Sequence, residues 1–296
     1  MATRAMDSAI EGAITVTPLS KTLGARIEGV DVSAPLDAAT FAAIYRAYLD
    51  WHVIAIPGQA LTPEQVVAFS RRFGPVEPHV KTAFHHPETP LVLVLSNRII
   101  DGKPLGARDG GTFWHSDVSY RAKPARATML YAVEVPQEHG DTLFANMTQA
   151  HEEMAPDLKR RLEGLQAVHD YSKADEISAA RGARRAPLTA AEKKAVPPVA
   201  HPLVRTHPET GRKAIYATPA YGRRILEVSD DESEALMETL FDHCLRDRYR
   251  LRYRWRVGDV VVWDNAAVMH SATALDEPPV GHRTIWRTII SGEAPV

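Results

Sequence analysis

Cysteine is almost absent from this 296-residue chain, which contains only Cys244. A single thiol cannot form a disulfide within the chain, and it cannot build a cysteine-based zinc or iron–sulfur site. A metal site would therefore have to use the nitrogens of the thirteen histidines and the oxygens of carboxylates.

An excess of either charge and a long apolar run are also missing. The 35 Lys and Arg residues nearly balance the 37 Asp and Glu residues, which gives a formal net charge of −2. This balance argues against a nucleic-acid binder that depends on bulk electrostatics. No run approaches the roughly 18–20 consecutive apolar residues that span a bilayer. We therefore expect a soluble, cytoplasmic protein without nucleic-acid or membrane partners, and its 45% apolar content is enough for a sizeable core.

The first quarter of the chain carries two helix-start signals. Asp37 can cap one helix, and Thr62, followed by Pro63 and by Gln65 at the third helical position, can cap another. After Asp37, apolar residues recur at helical spacing, which predicts one buried stripe formed by Phe41, Ile44, Tyr45, Tyr48 and Leu49. Mixed α and β structure is expected here.

Short β-rich runs separated by Gly, Pro and charged residues dominate the rest of the chain. The predicted strands are residues 91–95, 112–120, 127–135, 142–146, 201–206 and 213–218. Residues 250–257 and 260–263 are predicted to form a hairpin with one wet face. We interpret the arginines of its first strand as a solvated face, because the alternate residues are core-like.

These signals predict a mainly β protein with flanking helices, a sandwich or barrel, in a single domain over residues 1–296. A helix is predicted at residues 229–244, where Ser229 and Glu232 have the spacing of a capping box. Residues 172–198 are rich in Ala, Arg, Lys and Asp with little apolar periodicity. We interpret them as a mobile insert or lid.

The segment Trp114-His115-Ser116-Asp117 is the most informative local feature. On a strand, residues i and i+2 leave the same face, so His115 and Asp117 would project together as one nitrogen and one oxygen donor. An apolar strand far downstream ends at His270. Two histidines and one carboxylate with open positions suit non-heme Fe(II) that activates dioxygen, although the spacing alone does not bring His270 to the pair.

Two arginines alternate on the predicted strand at residues 282–288. Arg283 and Arg287 would share one face. Two like charges on an inward face are costly unless each meets an anion, and Arg is well shaped to hold a carboxylate or a sulfonate. This pattern indicates two anionic ligands, with a wet surface as the alternative.

These residues together resemble the taurine dioxygenase and 2,4-dichlorophenoxyacetate dioxygenase family of Fe(II)/2-oxoglutarate enzymes, over about residues 16–288. The resemblance implies a distorted jelly roll, or double-stranded β-helix, with an insert between the second and third iron ligands. It also implies Fe(II), 2-oxoglutarate and dioxygen as cofactor and co-substrates. The segments that carry it are Trp114-His115-Ser116-Asp117, Gly140-Asp141-Thr142-Leu143-Phe144, Val262-Trp263-Asp264-Asn265, His270, Arg283 and Arg287.

The resemblance implies a role for each matching position. His115, Asp117 and His270 match the iron ligands, whereas Thr142 and Arg283 match the residues that hold the 2-oxoglutarate carboxylate. Three further positions match contacts to the substrate, namely His79, the backbone of Val118, and Arg287.

One position departs from the taurine enzymes. Gly111 stands where they have an asparagine near the substrate amine.

The resemblance as a whole implies a dioxygenase that hydroxylates a small organic anion and forms succinate and carbon dioxide. His79 favours a sulfonate slightly and Gly111 disfavours taurine, while an aryloxyalkanoate, another carboxylate or a sulfate ester is the alternative.

Two functions of other classes compete with this interpretation. A metal-binding protein that senses a ligand without turnover would not need open metal positions and a co-substrate clamp. A zinc hydrolase with the same triad would not need two arginines on one face. A homo-oligomer is compatible with the sequence.

Overall fold

The computed structural model describes residues 9–11, 14–80, 82–108, 111–136, 138–180, 188–273 and 281–296. Its α-helices are α1 (Ala38–Trp51), α2 (Pro63–Ser70), α3 (Met147–Glu152), α4 (Pro156–Leu162), α5 (Tyr171–Ala180), α6 (Ala190–Ala195) and α7 (Asp230–Cys244). Short 3₁₀ turns lie at Thr82–Phe84 and Asp247–Tyr249.

The strands are mostly short, as the sequence predicts. They are β1 (Ala9–Glu11), β2 (Ile14–Pro18), β3 (Ala25–Glu28), β4 (Val53–Ile56), β5 (Val76–Glu77), β6 (His85–His86), β7 (Thr89–Ser96), β8 (Ile99–Ile100), β9 (Lys103–Pro104), β10 (Ala125–Glu134), β11 (Thr142–Asn146), β12 (Gln166–His169), β13 (Val199–Pro202), β14 (Val204–Thr206), β15 (Lys213–Ile215), β16 (Gly222–Ile225), β17 (Arg250–Tyr253), β18 (Val260–Asp264), β19 (Val268–Ala272) and β20 (Thr284–Ser291).

Two sheets pack face to face around the centre of the molecule. The large sheet has the order β1-β2-β3-β4-β18-β10-β20-β7-β6, with β5 beside β20, and the small sheet has the order β17-β11-β19. Side chains of both sheets, including Leu130, Trp263 and Ile285 from the large one and Phe144 and Val268 from the small one, form one buried cluster between them. The pairings among the described strands leave both sheets open. The prediction of a mainly β protein with flanking helices is confirmed.

The helices α1 and α2 cover the outer face of the large sheet. Ile44 and Tyr48 of α1 pack with Met129 and Tyr131 of β10 in a second buried cluster. Asp37 caps α1 by accepting a hydrogen bond from the Thr40 N–H, and Thr62 forms the predicted capping box at α2. Both caps satisfy N–H groups that lack a partner within the helix. Both helix starts could therefore be predicted from a few neighbouring residues.

Residues 112–120, predicted as a strand, do not form one. They run through bends and turns, and their pairing with β19 is limited to a bridge between His115 and His270. Val118 lies in the left-handed region with φ of 59°, which turns the chain directly after Asp117. The prediction that His115 and Asp117 share a strand face is therefore wrong.

The predicted hairpin of residues 250–257 and 260–263 is also wrong. The strand β17 pairs with β11 in the small sheet, whereas β18 lies between β4 and β10 in the large sheet. The burial of the two strands explains the separation. Residues of β17 alternate between exposed and buried, as on a sheet with one wet face, whereas every residue of β18 is buried.

The segment 172–198 contains more helix than its sequence predicts. It contains most of α5 and all of α6, and residues 181–187 lie outside the described residues. Tyr171, Ala174, Leu188 and Val196 are buried against Phe113, Tyr120 and Tyr221. The role of this segment as a lid stays a prediction. None of the helices in the described ranges is long and apolar enough to cross a membrane.

Candidate metal site and adjoining cavity

A cavity of about 410 Å³ opens between the two sheets. Polar and charged side chains line it together with apolar and aromatic ones. Its polar lining includes His79, Asn97, Arg98, Arg108, His115, Asp117, Thr142, His270, Arg283 and Arg287. Its apolar lining includes Phe84, Leu93, Leu95, Ile99, Phe113, Leu130, Tyr171, Tyr221 and Trp263.

His115, Asp117 and His270 converge in the wall of this cavity. All three are buried, and their ligand atoms lie within 4.8 Å of one another. Nε2 of His115 is 3.5 Å from Oδ1 of Asp117, and Nε2 of His270 is 3.5 Å from Oδ2. Two nitrogens and one carboxylate oxygen at these distances can hold one metal ion.

The hydrogen bond of His115 and the neutral state of His270 favour metal binding. Nδ1 of His115 lies 2.8 Å from the carbonyl oxygen of Phe113. Because a carbonyl can only accept, this Nδ1 carries the proton, and Nε2, which lies on the side of Asp117, keeps its lone pair for a metal. Burial, followed by the neighbouring His115, holds the pKa of His270 well below its usual value. His270 is therefore neutral, as a metal ligand must be.

Asp117 is ionised although it is buried. Burial alone would raise the pKa of its carboxyl, but the charge of Arg287 holds that pKa well below the usual range. Nη2 of Arg287 donates to Oδ1 of Asp117 at 2.7 Å. The arginine expected to contact the substrate thus also contacts the carboxylate of the triad.

Arg283 and Thr142 lie together in the same cavity. Burial lowers the pKa of Arg283 to about 10, so the guanidinium is still protonated at neutral pH. Its Nε has no hydrogen-bond partner among the described residues, and Asp141, whose charge reaches it, is bound by Nε of Arg252 at 2.5 Å. Arg283 therefore offers a desolvated cation for an anionic ligand.

The hydroxyl of Thr142 is oriented by a tryptophan. Nε1 of Trp255 donates to Oγ1 of Thr142 at 3.0 Å. Because the indole N–H can only donate, the hydroxyl accepts here and its own hydrogen is available to another acceptor. Thr142 is buried on β11 and lines the cavity, so this hydrogen can serve a ligand there.

The three other positions singled out by sequence have different outcomes. His79 lines the cavity, and its carbonyl accepts a hydrogen bond from Nε2 of His85 at 2.8 Å. Val118 is not part of the main cavity wall and lies with His79 beside a neighbouring depression. Gly111 lines the cavity with φ of +81°, and a Cβ there would lie 2.9 Å from Cε1 of His115.

Two buried polar residues behind Asp117, Thr128 and Asn265, have no role that the sequence predicts. Thr128 on β10 donates from Oγ1 to Oδ2 of Asp117 at 2.7 Å, and Asn265 donates from Nδ2 to Thr128 at 3.0 Å. The only sequence signal was Asn265 itself, which lies in the Val262–Asn265 run that carried the resemblance. Thr128 has no local signal, because its partners are remote in sequence.

Two other buried histidines make structural contacts and do not line the cavity. Nε2 of His201 lies 3.0 Å from the carbonyl of Ser119, and Nε2 of His207 lies 2.7 Å from Oδ2 of Asp264. Within the described part of the chain, the triad is the only group of three potential metal ligands.

Comparisons with known proteins agree with this geometry. The model of the family described as taurine catabolism dioxygenase TauD, TfdA family matches residues 15–289. The chain is 33% identical over 286 residues to the alpha-ketoglutarate-dependent 2,4-dichlorophenoxyacetate dioxygenase of Cupriavidus pinatubonensis, covering 89% of this chain and 93% of that protein. It is 30% identical over 286 residues to pentalenolactone F synthase of Streptomyces arenae, covering 93% of this chain and 94% of that protein.

A solved structure supports the same relationship. The crystal structure of a taurine dioxygenase from Burkholderia xenovorans superposes with a TM-score of 0.81 at 33% identity, covering 96% of this chain and 91% of that one. Every sequence-predicted site residue lies within the span that the family model matches.

Proposed function

Because this chain belongs to the taurine catabolism dioxygenase TauD, TfdA family, it is an Fe(II)- and 2-oxoglutarate-dependent dioxygenase that uses dioxygen as co-substrate, and we propose that it hydroxylates an organic anion with a sizeable apolar body. The observation that carries the proposal is the cavity of about 410 Å³, whose lining combines Arg283, Arg287 and the triad with apolar and aromatic side chains. This volume is within the range of sites that enclose drug-sized ligands, roughly 300–1,000 Å³.

We assign the iron to His115, Asp117 and His270. The donor set fits, because two neutral imidazole nitrogens and one ionised carboxylate converge in a buried site. When bound, Fe(II) with 2-oxoglutarate and dioxygen supplies the oxidising chemistry that gives succinate, carbon dioxide and a hydroxylated product. The chain contributes the ligand geometry and a wall that excludes water from the reacting centre.

We assign the carboxylate of 2-oxoglutarate to Arg283 and Thr142. Arg283 contributes a half-buried cation whose Nε has no hydrogen-bond partner in the part of the chain that the structure describes. Thr142 contributes a hydroxyl whose hydrogen is directed away from Trp255. Charge-assisted hydrogen bonds from such groups are about twice as strong as neutral ones. The two residues would hold the co-substrate in one orientation beside the triad.

We assign the anionic group of the substrate to Arg287, with His79 and Val118 as further contacts. Phe113, Tyr171 and Tyr221 supply an aromatic wall near the triad. This wall supports a carboxylate with an aromatic or alicyclic body, such as an aryloxyalkanoate, over a compact sulfonate. Hydroxylation beside the ether oxygen of an aryloxyalkanoate would split the molecule and release a phenol.

A sulfonate is the second candidate, supported by His79 at the cavity wall and by the relative that is a taurine dioxygenase. Gly111, which supplies no side chain beside His115, weighs against taurine itself. We also interpret the two packed sheets as a distorted jelly roll within a single domain.

The test is a panel of anions assayed for succinate formation with Fe(II), 2-oxoglutarate and ascorbate. Aryloxyalkanoates and alicyclic carboxylates should stimulate succinate formation above the substrate-free rate and should be converted in step with it. Taurine and other compact sulfonates should stimulate it much less. Stimulation by compact sulfonates alone would support the second candidate, and a panel with no coupled turnover despite bound metal would refute both.

A further inference from the structure

Asn265 and Thr128 form a hydrogen-bonded chain that ends on the carboxylate of Asp117. Asn265 follows β18 and Thr128 lies on the neighbouring strand β10, and both are fully buried. Nδ2 of Asn265 donates to Oγ1 of Thr128 at 3.0 Å, and Oγ1 of Thr128 donates to Oδ2 of Asp117 at 2.7 Å. Both bonds have ordinary lengths for their atom types.

The direction of this chain follows from the chemistry of its members. The Oδ1 atom of Asn265 faces two N–H groups, the backbone N–H of Asp117 and Nε1–H of Trp263, each at 3.1 Å. Both can only donate, so the oxygen of the amide must be on that side and the NH₂ must face Thr128. The Thr128 hydroxyl accepts from this NH₂ and must direct its one hydrogen to Asp117.

Asn265 also holds the backbone that carries Asp117. Its carbonyl accepts a hydrogen bond from Oγ of Ser116 at 2.7 Å, and its Oδ1 accepts from the N–H of Asp117. Asp117 lies in a turn and not in a strand, so ladder hydrogen bonds cannot fix its position. Asn265 replaces them, because its side chain fixes the backbone of Asp117 while Thr128 fixes the carboxylate.

We propose that Asn265 and Thr128 are positioning residues that orient the carboxylate of Asp117 for metal binding. The inference rests on the proposed role of Asp117 as an iron ligand. Neither residue lines the cavity, so their effect on substrate is indirect. Hydrogen-bond partners behind a ligand typically change metal affinity or activity by about 10–100-fold when removed.

Thr128→Val is the most direct test, because it keeps the shape of the side chain and removes the hydroxyl. Binding of Mn(II) to the metal-free, full-length protein is followed by electron paramagnetic resonance. We expect the dissociation constant to rise by about 10-fold or more, and Thr128→Ser, which restores the hydroxyl, to return it close to that of the unchanged protein. An unchanged affinity in Thr128→Val would overturn the inference.

Thr148→Val is the matched control. Thr148 is equally buried, but its hydroxyl has no hydrogen-bond partner among the described residues. It lies on α3, in a helix that is not part of the cavity wall. This variant should bind Mn(II) with unchanged affinity. If it weakens binding as much as Thr128→Val does, the effect comes from general loss of packing and the inference is wrong.

Asn265→Ala tests the second member of the chain. It should weaken Mn(II) binding at least as much as Thr128→Val, because it frees both the backbone and the carboxylate of Asp117. The double variant should lose little more than Asn265→Ala alone, since both substitutions interrupt one chain. Losses that multiply would show independent effects and contradict a shared chain. If Asn265→Ala does not fold, the comparison of Thr128→Val with Thr128→Ser decides the question.

Failure of the inference and failure of the proposed function give different results. If the unchanged protein and His115→Ala bind Mn(II) alike, the triad is not the metal site and the proposed function fails. If His115→Ala abolishes binding but Thr128→Val and Asn265→Ala do not weaken it, only the positioning role is wrong.

Discussion

His115 and His270 exchange two backbone hydrogen bonds, although more than 150 residues separate them in sequence. The N–H of His115 donates to the carbonyl of His270 at 2.9 Å, and the N–H of His270 donates to the carbonyl of His115 at 2.8 Å. The centroids of their imidazole rings are 4.1 Å apart. This antiparallel bridge sets the register in which both imidazoles face Asp117, so the metal site depends on one local pairing between remote segments.

Replacing either histidine of this bridge should remove the metal site. We expect His115→Ala or His270→Ala to lower Mn(II) affinity by at least 100-fold and to abolish Fe(II)-dependent succinate formation, because two remaining ligands cannot hold the ion tightly. Calorimetric titration of the metal-free protein measures this. His151→Ala, on α3 outside the cavity, should bind as the unchanged protein does, and retained binding in His115→Ala would contradict the triad.

Arg283 and Arg287, both in the cavity wall, should affect the binding of different substrates. Arg283→Ala should raise the KM for 2-oxoglutarate by about 10-fold or more, because a charge-assisted contact contributes about 1.5–3 kcal/mol. Arg287→Ala should chiefly raise the KM for the organic substrate. Because Arg287 also contacts Asp117, it should change Mn(II) affinity as well, whereas Arg283→Ala should not. Equal effects of both variants on the two KM values would refute the assignment.

Trp255 should act on 2-oxoglutarate through Thr142. In Trp255→Phe the hydrogen bond to Oγ1 of Thr142 is lost while the aromatic packing is kept, so the hydroxyl can rotate away from the co-substrate. We expect a several-fold higher KM for 2-oxoglutarate with little change in the KM for the substrate. Trp51→Phe, at the end of α1 and in a different buried cluster from Trp255, is the control for loss of an indole. Steady-state kinetics, with 2-oxoglutarate and the organic substrate varied in turn, measures both KM values for each variant.

Adding a side chain at Gly111 should damage the metal site and should not create a taurine enzyme. The Cβ of Gly111→Asn would lie 2.9 Å from Cε1 of His115, in a backbone conformation with φ of +81° that L-residues rarely adopt. We expect weaker Mn(II) binding and no gain in taurine-stimulated succinate formation. Taurine turnover by this variant with unchanged metal affinity would show that the backbone adapts freely.

His169 should make the protein sensitive to mild acid. Burial, followed by the neighbouring His201, lowers the pKa of His169 to about 3, against 6.5 for an exposed histidine. Below pH 6.5 the unfolded chain binds a proton that the folded chain does not, so the free energy of unfolding falls as the pH falls. This group alone contributes a loss of about 1 kcal/mol between pH 6.5 and 5.5.

Urea unfolding of the metal-free protein at these two pH values tests this expectation. His169→Gln keeps hydrogen-bonding groups for Ser119 and Tyr216, which now contact the imidazole, but it cannot titrate. Its free energy of unfolding should fall by about 1 kcal/mol less than that of the unchanged protein over the same interval. An identical fall in both proteins would show that His169 does not carry the acid sensitivity.

Features with local causes were predictable from the sequence. The caps at Asp37 and Thr62 need only neighbouring N–H groups, and the strand at Thr142–Asn146 has the predicted bounds. The sheet that Arg250–Tyr253 joins was not predictable, because alternation shows that a strand has a wet face but not which sheet it pairs in. Likewise, Thr128 gave no signal, since its contacts to Asp117 and Asn265 arise only when β10 and β18 are paired.

The sequence by itself determined which donors are available, namely imidazoles, carboxylates and arginines in place of thiolates, and it contained the motifs that indicate the family. Only the tertiary structure decided that His115, Asp117 and His270 meet, that Arg287 contacts Asp117, and that Asn265 and Thr128 hold that carboxylate. The physical reason is that these contacts depend on the register of strands remote in sequence. That register is set by burying the shared faces of two sheets, which no local pattern of residues specifies.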